Sequence, residues 1–130
     1  MSKLNDRYDE LKQDVRIDKN DLDNECAKHS LLFTKWSKRL AVAEANFRRA
    51  ELALTTYKAE RMVKGKQEKI TDKMSENKYR MSDSYATLNA KKNVLKQTVD
   101  LYQSAVYSMI HRRAMLDNLV KLHTSNYYSD

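Results

Sequence analysis

The sequence predicts an all-α fold in which a short N-terminal helix precedes a long antiparallel helical hairpin of the coiled-coil type. Three observations lead to this prediction. The 130 residues include one glycine and no proline, so the chain has few of the residues that punctuate turns and sheets. Apolar residues recur at alternating spacings of three and four along two long stretches. The stretch between them, "GKQEKITDKMSENKYRMSDS", has no clean apolar period.

The short helix is predicted over about residues 4–16. Leu4, Tyr8, Leu11 and Val15 follow spacings of four, three and four, which places them on one face of a helix. The next residues, "RIDKND", offer Asp and Asn side chains that cap the N-terminus of a following helix.

The first long helix is predicted over about residues 20–64, because its apolar positions keep the heptad spacing of a left-handed coiled-coil seam. The seam positions are Leu22, Cys26, His29, Phe33, Trp36, Leu40, Ala43, Phe47, Ala50, Leu54, Tyr57 and Arg61. Gly65 lowers helix propensity, so the helix is expected to end there and to be followed by a basic connection over residues 65–81.

The second long helix is predicted over about residues 82–124, again from a heptad seam. Its positions are Met81, Tyr85, Leu88, Lys92, Leu95, Val99, Tyr102, Val106, Met109, Arg113, Leu116, Val120 and His123. Lys92 and Arg113 are charged seam residues that either fix the register against a carboxylate or mark where the seam opens. The whole chain, residues 1–130, is interpreted as a single all-helical domain.

The residues expected to pack the hairpin and the oligomer are Phe33, Trp36, Leu40, Phe47, Leu54, Leu95, Val99, Tyr102, Val106 and Leu116. Each long helix also carries apolar residues beside its seam, among them Leu31, Leu32 and Leu52 on the first and Leu101 and Ala105 on the second. A two-helix hairpin covers one stripe per helix, so further copies of the chain are expected to cover this second stripe. The alternative is that the short first helix folds back over part of the stripe, but it is too short to cover all of it.

Positive charge is concentrated in the middle of the chain. The net charge is +7, and residues 58–97 carry eleven basic and five acidic side chains, whereas residues 1–25 carry five basic and eight acidic ones. The densest cluster is Lys58, Arg61, Lys64, Lys66 and Lys69, which suits contacts to the phosphates of a nucleic acid. Tyr57 and Tyr79 lie nearby as candidate stacking faces for unpaired bases. The same cluster is also compatible with an ordinary solvated helix face, because Glu60, Glu68 and Glu76 interrupt it.

No enzymatic or cofactor-binding motif is found in the sequence. The Gly-Lys step at Gly65 lacks the first glycine, the strand and the Ser or Thr of a phosphate-binding P-loop. The three histidines have no second ligand at helical spacing, so neither a metal nor any other cofactor is expected. Cys26, the one cysteine, is expected to be a small buried hydrophobe and fits a reducing compartment. There is no apolar run long enough to span a membrane, and no membrane partner is expected.

The stretch Tyr8 to Leu40, "YDELKQDVRIDKNDLDNECAKHSLLFTKWSKRL", resembles the N-terminal part of the UvsY family of recombination mediators of T-even-type bacteriophages. The shared features are the "EL-K-DV-ID" pattern, the aliphatic and aromatic helix that follows, and the Lys35-Trp36 step. "YKAERMVKGK" is similar to the family's Lys-Ala-(x)-Arg segment with its glycine-containing turn, and "NAKKNVLK" resembles the start of its C-terminal helical region.

The resemblance implies a ring-forming homo-oligomer in the cytoplasm of an infected bacterium. Such a mediator binds single-stranded DNA, remodels the single-strand-binding protein on it and loads the strand-exchange recombinase, in recombination, repair and replication, with no enzymatic activity of its own. The DNA-binding lysine and arginine of the family correspond to Lys58 and Arg61, which are separated here by Ala59 and Glu60. The alternative is a structural coiled coil, a scaffold or assembly factor that binds only protein partners.

Overall fold

The computed structural model describes residues 2–125, without the side chain of Ser2, and that part of the chain is helical with no strand. The four helices are α1 (Ser2–Asp14), α2 (Leu22–Gln67), α3 (Asp72–Arg80) and α4 (Asp83–Thr124). The predicted all-α class and the pair of long helices are therefore confirmed. No helix in the described range is both long enough and apolar enough to cross a membrane.

The expectation that α2 ends at Gly65 is wrong, because the helix continues to Gln67. The residue that turns the chain is Lys69, which adopts the left-handed conformation with φ 61°. The amide of Lys69 donates to the carbonyl of Lys66 at 3.1 Å, and that of Ile70 donates to the carbonyl of Gly65 at 3.0 Å. This pair of bonds is the Schellman pattern of a helix C-terminus.

The predicted connection over residues 65–81 contains the helix α3, which the apolar period did not reveal. Thr71 is its N-cap: the backbone is extended, and the hydroxyl accepts a hydrogen bond from the amide of Met74 at 3.2 Å. A threonine cap satisfies one of the free amides of a first helical turn and stabilises a short helix. The capping residue was thus a local signal for α3 that the spacing of apolar residues did not carry.

The chain is organised into two compact units. The first unit combines the residues up to Ala41 with those from Asp100 onward, and the second unit comprises Val42–Val99. Both long helices contribute to each unit. In the first unit Trp36 of α2 lies against Tyr102 of α4, and the pairing runs antiparallel because earlier residues of α2 meet later residues of α4.

The core of the first unit is a three-helix contact. Its buried members are Leu32, Trp36, Leu101, Ala105 and Met109, and Leu4, Leu11, Val15, Tyr102 and Val106 pack against them. Trp36 is fully buried, and its indole N–H donates to the Asp14 carboxylate at 3.0 Å. The helix α1 thus covers a groove between the two long helices.

The presence of α1 as a third helix in this core changes which residues are buried. Cys26 and Phe33, which were assigned to the seam, are exposed, so the expectation of a buried cysteine is wrong. Leu32, Leu101 and Ala105, which were assigned to the second stripe, are buried instead. A seam between two helices is a narrow stripe, whereas a third helix widens the buried arc and turns it toward the side that this helix covers.

The predicted packing residues fall into three groups. Trp36, Leu54, Val99 and Leu116 are buried. Leu40, Phe47, Leu95, Tyr102 and Val106 are half-buried, and Phe33 is exposed.

A buried guanidinium joins three segments of the first unit. Arg112 is 1% exposed and forms an ion pair with the buried carboxylate of Glu25. Its Nη1 lies 2.9 Å from His29 Nδ1, and its Nη2 lies 3.4 Å from the carbonyl oxygen of Arg16. Among the described residues, Nε of Arg112 and Nε2 of His29 have no hydrogen-bond partner.

The environment keeps His29 neutral. Burial lowers the pKa of its imidazole, and the positive charges of Arg112 and Arg113 lower it further, against a small opposing effect of Asp117. A neutral ring presents an unprotonated nitrogen, so Nδ1 accepts the Arg112 hydrogen bond. The sequence pointed to Arg113 as the charged seam residue, but Arg113 is exposed and its neighbour Arg112 makes the buried contact.

Removing the Arg112 side chain is expected to destabilise the protein strongly. Arg112→Ala leaves the buried Glu25 carboxylate with only the exposed Lys28 ammonium, 3.3 Å away, as a partner, which costs about 3 kcal/mol of the free energy of unfolding. Urea unfolding followed by circular dichroism, at one fixed protein concentration, measures it. The matched control is Arg113→Ala, an exposed neighbour that is expected to change the free energy by less than about 0.5 kcal/mol. Equal losses in the two variants would contradict this assignment.

A second ionic cluster fastens α1 to α2. The carboxylate of Glu10 accepts hydrogen bonds from Lys35 at 2.8 Å and from Arg39 at 2.9 Å, and also from Arg7 within α1 at 2.8 Å. Lys35 reaches Asp14 as well, at 2.5 Å. Burial alone would raise the pKa of Glu10, but the three hydrogen bonds outweigh it and lower the pKa to about 2.

Acid is therefore expected to weaken the docking of α1. The pKa of Glu10 lies below its ordinary value of 4.5, so the unfolded chain binds the proton more readily. The stabilisation is present above about pH 4.5 and is lost as the pH falls toward 2. Fluorescence of Trp36, the only tryptophan, reports the change in this core. Glu10→Gln is expected to remove this part of the acid transition, while Asp9→Asn, on an exposed neighbour, is expected to keep it; identical profiles for both variants would refute the role of Glu10.

The second unit is built around small residues and tyrosines. Ala43, Ala50, Leu54, Tyr79 and Val99 are buried. The ring of Tyr79 meets that of Tyr57 edge-on, with 6.5 Å between the ring centroids. It also contacts the tilted ring of Tyr85, with 5.6 Å between the centroids. The Tyr57 hydroxyl lies 2.6 Å from Oγ of Ser82, one of the two residues between α3 and α4.

Gly65 lies at a close approach of α3 to α2. A Cβ atom at position 65 would lie 1.8 Å from Oγ and 2.9 Å from Cβ of Ser75, and 3.4 Å from Cγ1 of Ile70. There is no room for a methyl group unless Ser75 moves. The glycine therefore serves a close helix approach and not a helix end.

Gly65→Ala is expected to lower the free energy of unfolding by about 1–3 kcal/mol, the cost of overpacking. A loss of stability would be informative, since a change from Gly to Ala within an unobstructed helix raises the free energy of unfolding by about 1 kcal/mol. Thermal unfolding measures the difference. The double variant Gly65→Ala/Ser75→Gly removes the obstructing side chain and is expected to recover part of the loss. A stabilised single variant would show that the two helices do not approach so closely.

Candidate nucleic-acid interface

The second unit carries most of the positive charge of the protein. Residues 42–99 contain thirteen basic and seven acidic side chains, a net charge of +6 out of +7 for the whole chain. A local excess of this kind attracts polyanions over about a Debye length. The second unit therefore presents the candidate nucleic-acid interface.

Two of the predicted DNA-binding residues lie over aromatic rings. The ammonium of Lys58, which is half-buried, lies 5.9 Å from the centroid of the Tyr85 ring. The guanidinium of Arg61, which is exposed, lies 5.1 Å from the centroid of the Tyr57 ring. Both contacts have cation–π geometry. They hold these two charges near the tyrosine cluster, which consists of Tyr57, Tyr79 and Tyr85.

The other three predicted residues, Lys64, Lys66 and Lys69, are exposed. Neither they nor Arg61 form an ion pair with any residue of the described range. Lys64 and Lys66 belong to the last turn of α2, and Lys69 is the left-handed residue that follows it. Their charged groups are therefore accessible to an anionic partner.

Two nearby acidic residues, Glu68 and Glu76, are paired with cations of α3. Lys78 lies 3.5 Å from Glu68, and Arg80 lies 2.7 Å from Glu76. All four side chains of these two pairs are substantially exposed, so such pairs are weak and easily exchanged. Glu68 and Glu76, two of the three acidic residues that interrupt the cluster in sequence, therefore offset mainly the charges of α3. The third, Glu60, lies next to Arg61 on α2 and forms no ion pair within residues 2–125.

A cavity of about 190 Å³ lies between the end of α2, α3 and the start of α4. We call it the α2–α3 cavity. Its walls include Arg61, Lys64, Glu68, Ser75, Lys78 and Tyr79. Three cations and one carboxylate therefore face a concave space in the most basic part of the chain.

Ser75 brings a hydroxyl to this cavity. It is only 4% exposed, and its Oγ has no hydrogen-bond partner in the part of the chain that the structure describes. A buried hydroxyl without a partner is uncommon, because it loses its hydrogen bonds to water. The cavity thus contains both positive charge and an unused hydrogen-bond donor.

The tyrosines have different exposures. Tyr79 is 7% exposed and contacts Tyr57 and Tyr85, so it does not present a free face to solvent. Tyr57 is half-buried, with Arg61 over its ring. Of the two candidate stacking residues, Tyr57 is therefore the more accessible.

The arrangement can bind an anion through charge and hydrogen bonds. Within residues 2–125, no group of three or more His, Cys, Asp or Glu side chains could hold a metal ion. Sequence reasoning found Arg61 and Lys64 but not Ser75 or the wall formed by α3. The Thr71 cap was the available signal for α3, whereas the burial of Ser75 depends on contacts that no local pattern encodes.

Comparisons with known proteins add no identification. No protein-family model matches the chain, and no curated protein and no solved structure shows a significant match.

Proposed function

We propose that this protein is a recombination mediator that binds single-stranded DNA and performs no covalent chemistry. It would act on DNA coated by single-strand-binding protein and help to load a strand-exchange recombinase, in the cytoplasm of a phage-infected bacterium. The observation that carries the binding part is the exposed positive charge of Arg61, Lys64, Lys66 and Lys69, none of which forms an ion pair within residues 2–125. The resemblance of the Tyr8–Leu40 stretch to the UvsY family supports the mediator part.

The charge argues for a polyanion. Each cation that neutralises a phosphate releases a condensed counterion, and this adds salt-dependent affinity. A scaffold that binds only proteins has no need for a net charge of +6 on one unit. Lys58 and Arg61 would hold the strand beside the tyrosine cluster, and the three lysines around the end of α2 would extend the contact.

A homo-oligomeric ring is part of this proposal, and it is supported by exposed apolar side chains. Leu31 is 71% exposed, Leu52 66%, Val94 60% and Tyr107 67%. Val94 lies one heptad before the buried Leu101 on the same face of α4. Copies that cover such residues would repeat the basic cluster around the assembly and turn weak contacts into strong binding.

The exposed apolar residues also favour a second candidate, a coiled-coil scaffold that binds a protein partner. Both candidates bury these side chains against another chain. They differ in their interaction with nucleic acid, because the scaffold has no salt-dependent affinity for DNA. A measurement of DNA binding against salt therefore separates them.

Removing two cations is expected to weaken binding in a defined way. Arg61→Gln/Lys64→Gln should lower the affinity for a labelled single-stranded oligonucleotide and reduce the slope of log affinity against log salt by about 1.4, or about 0.7 per lost phosphate contact. Fluorescence anisotropy at several salt concentrations measures both. Light scattering of the same samples should show an oligomer of unchanged mass.

The matched control is Lys12→Gln/Lys121→Gln, which removes two exposed cations from the first unit. It gives the same net charge as the test variant, so it should retain the salt slope if binding is local. Equal slopes in the two variants would refute the site. A wild-type protein that binds neither single-stranded nor double-stranded oligonucleotides would refute DNA binding, and a monomer in light scattering would refute the ring.

A further inference from the structure

We propose that the α2–α3 cavity binds one phosphodiester group from within a single strand of nucleic acid, with Ser75 as hydrogen-bond donor and Arg61, Lys64 and Lys78 as the charged walls. This inference rests on the proposed DNA-binding function and names the chemical group that enters the cavity. It adds Ser75, Lys78 and Glu68 to the residues that control binding.

The cavity has the size and charge for such a group. Its volume of about 190 Å³ accommodates a phosphate with part of its sugar, and its charged walls carry three cations against the single carboxylate of Glu68. Arg61 and Lys64 are exposed and have no ion pair among the described residues, so both can turn toward an anion. A guanidinium and an ammonium together provide the charge-assisted hydrogen bonds that phosphate oxygens prefer.

Ser75 distinguishes this cavity from a general basic surface. Its hydroxyl is buried on the cavity wall and has no partner within residues 2–125. The Oγ packs against Gly65, so a phosphate oxygen accepts a hydrogen bond from it once the Ser75 side chain turns to another χ1 rotamer. Binding would then satisfy a polar group that folding leaves without a partner.

Two features of the cavity oppose an anion, and both are weakened by local contacts. The end of α2 carries the negative end of a helix dipole. However, the carbonyls of Lys64, Gly65 and Lys66 accept amides from the following turn, at 3.0, 3.0 and 3.1 Å. The Glu68 carboxylate lies 3.5 Å from Lys78 in an exposed pair, so a phosphate competes with Glu68 for that ammonium.

The experiment uses the full chain and follows the amide resonance of Gly65 by NMR. Gly65 is the only glycine in the sequence and lines the cavity, so its signal is a unique reporter. Inorganic phosphate and a single-stranded oligonucleotide with a 5′-hydroxyl are titrated separately. Both are expected to shift the Gly65 resonance in the wild-type protein, and the oligonucleotide is expected to displace phosphate.

Three variants test the residues. Ser75→Ala is expected to weaken phosphate binding about tenfold, because it removes a hydrogen bond to a charged group. It keeps every charge, so the salt slope of oligonucleotide binding should stay unchanged. Glu68→Gln is expected to tighten binding several-fold, since it frees Lys78 and removes a like charge. Ser104→Ala, an exposed serine of α4 in the first unit, is the control and should match the wild type.

The outcomes separate this inference from the proposed function. If the oligonucleotide binds with a salt slope but Ser75→Ala equals Ser104→Ala and the Gly65 signal stays still, the cavity assignment is overturned while DNA binding stands. If phosphate shifts Gly65 but no oligonucleotide binds, the proposed function and the nucleic-acid ligand both fail. An effect of Ser75→Ala confined to 5′-phosphorylated oligonucleotides, and absent on circular single strands, would overturn the internal phosphodiester in favour of a chain end.

Discussion

Arg112 is the point on which the first unit depends. A fully buried guanidinium is stable only when its charge is matched, and here Glu25 supplies the opposite charge while His29 and the carbonyl of Arg16 accept hydrogen bonds from its two Nη groups. These partners lie on α2 and on the segment between α1 and α2. The contact therefore fixes the register of α2 against α4 and also the point where α1 leaves the pair.

The position of α1 has consequences for the whole core. The ion cluster around Glu10 and the indole hydrogen bond from Trp36 to Asp14 hold α1 along the groove between the long helices. The apolar face of this unit is then shared among three helices, which buries Leu101 and leaves Phe33 at the surface. The ion cluster around Glu10 and the buried pair of Arg112 with Glu25 thus determine which apolar side chains of this unit are buried and which are exposed.

The second unit depends instead on the close approach of α3 to the backbone of α2 at Gly65. Gly65 lets α3 pack directly onto α2, and the left-handed Lys69 ends α2 with its carbonyls satisfied. The same approach places Ser75 and Lys78 beside Arg61 and Lys64 around one cavity. The sequence predicted that Gly65 ends a helix, but in the structure it allows the helix contact that forms the basic α2–α3 cavity. The proposed binding of a nucleic-acid strand depends on this cavity and the exposed cations around it.

The sequence by itself determined the helical class, the two long helices and the concentration of positive charge near Lys58–Lys69, because these depend on composition and on local periodicity. It did not determine the helix α3, the exposure of Cys26 or the choice of Arg112 over Arg113. A heptad pattern describes which residues share a stripe, but two neighbouring stripes on each helix were apolar, and the contact with α1 buried Leu32, Leu101 and Ala105 of the second stripe beside the seam residues Trp36 and Met109. Likewise, residues ten positions apart, such as Gly65 and Ser75, meet only because two helices pack together, and such contacts are specified by tertiary structure alone.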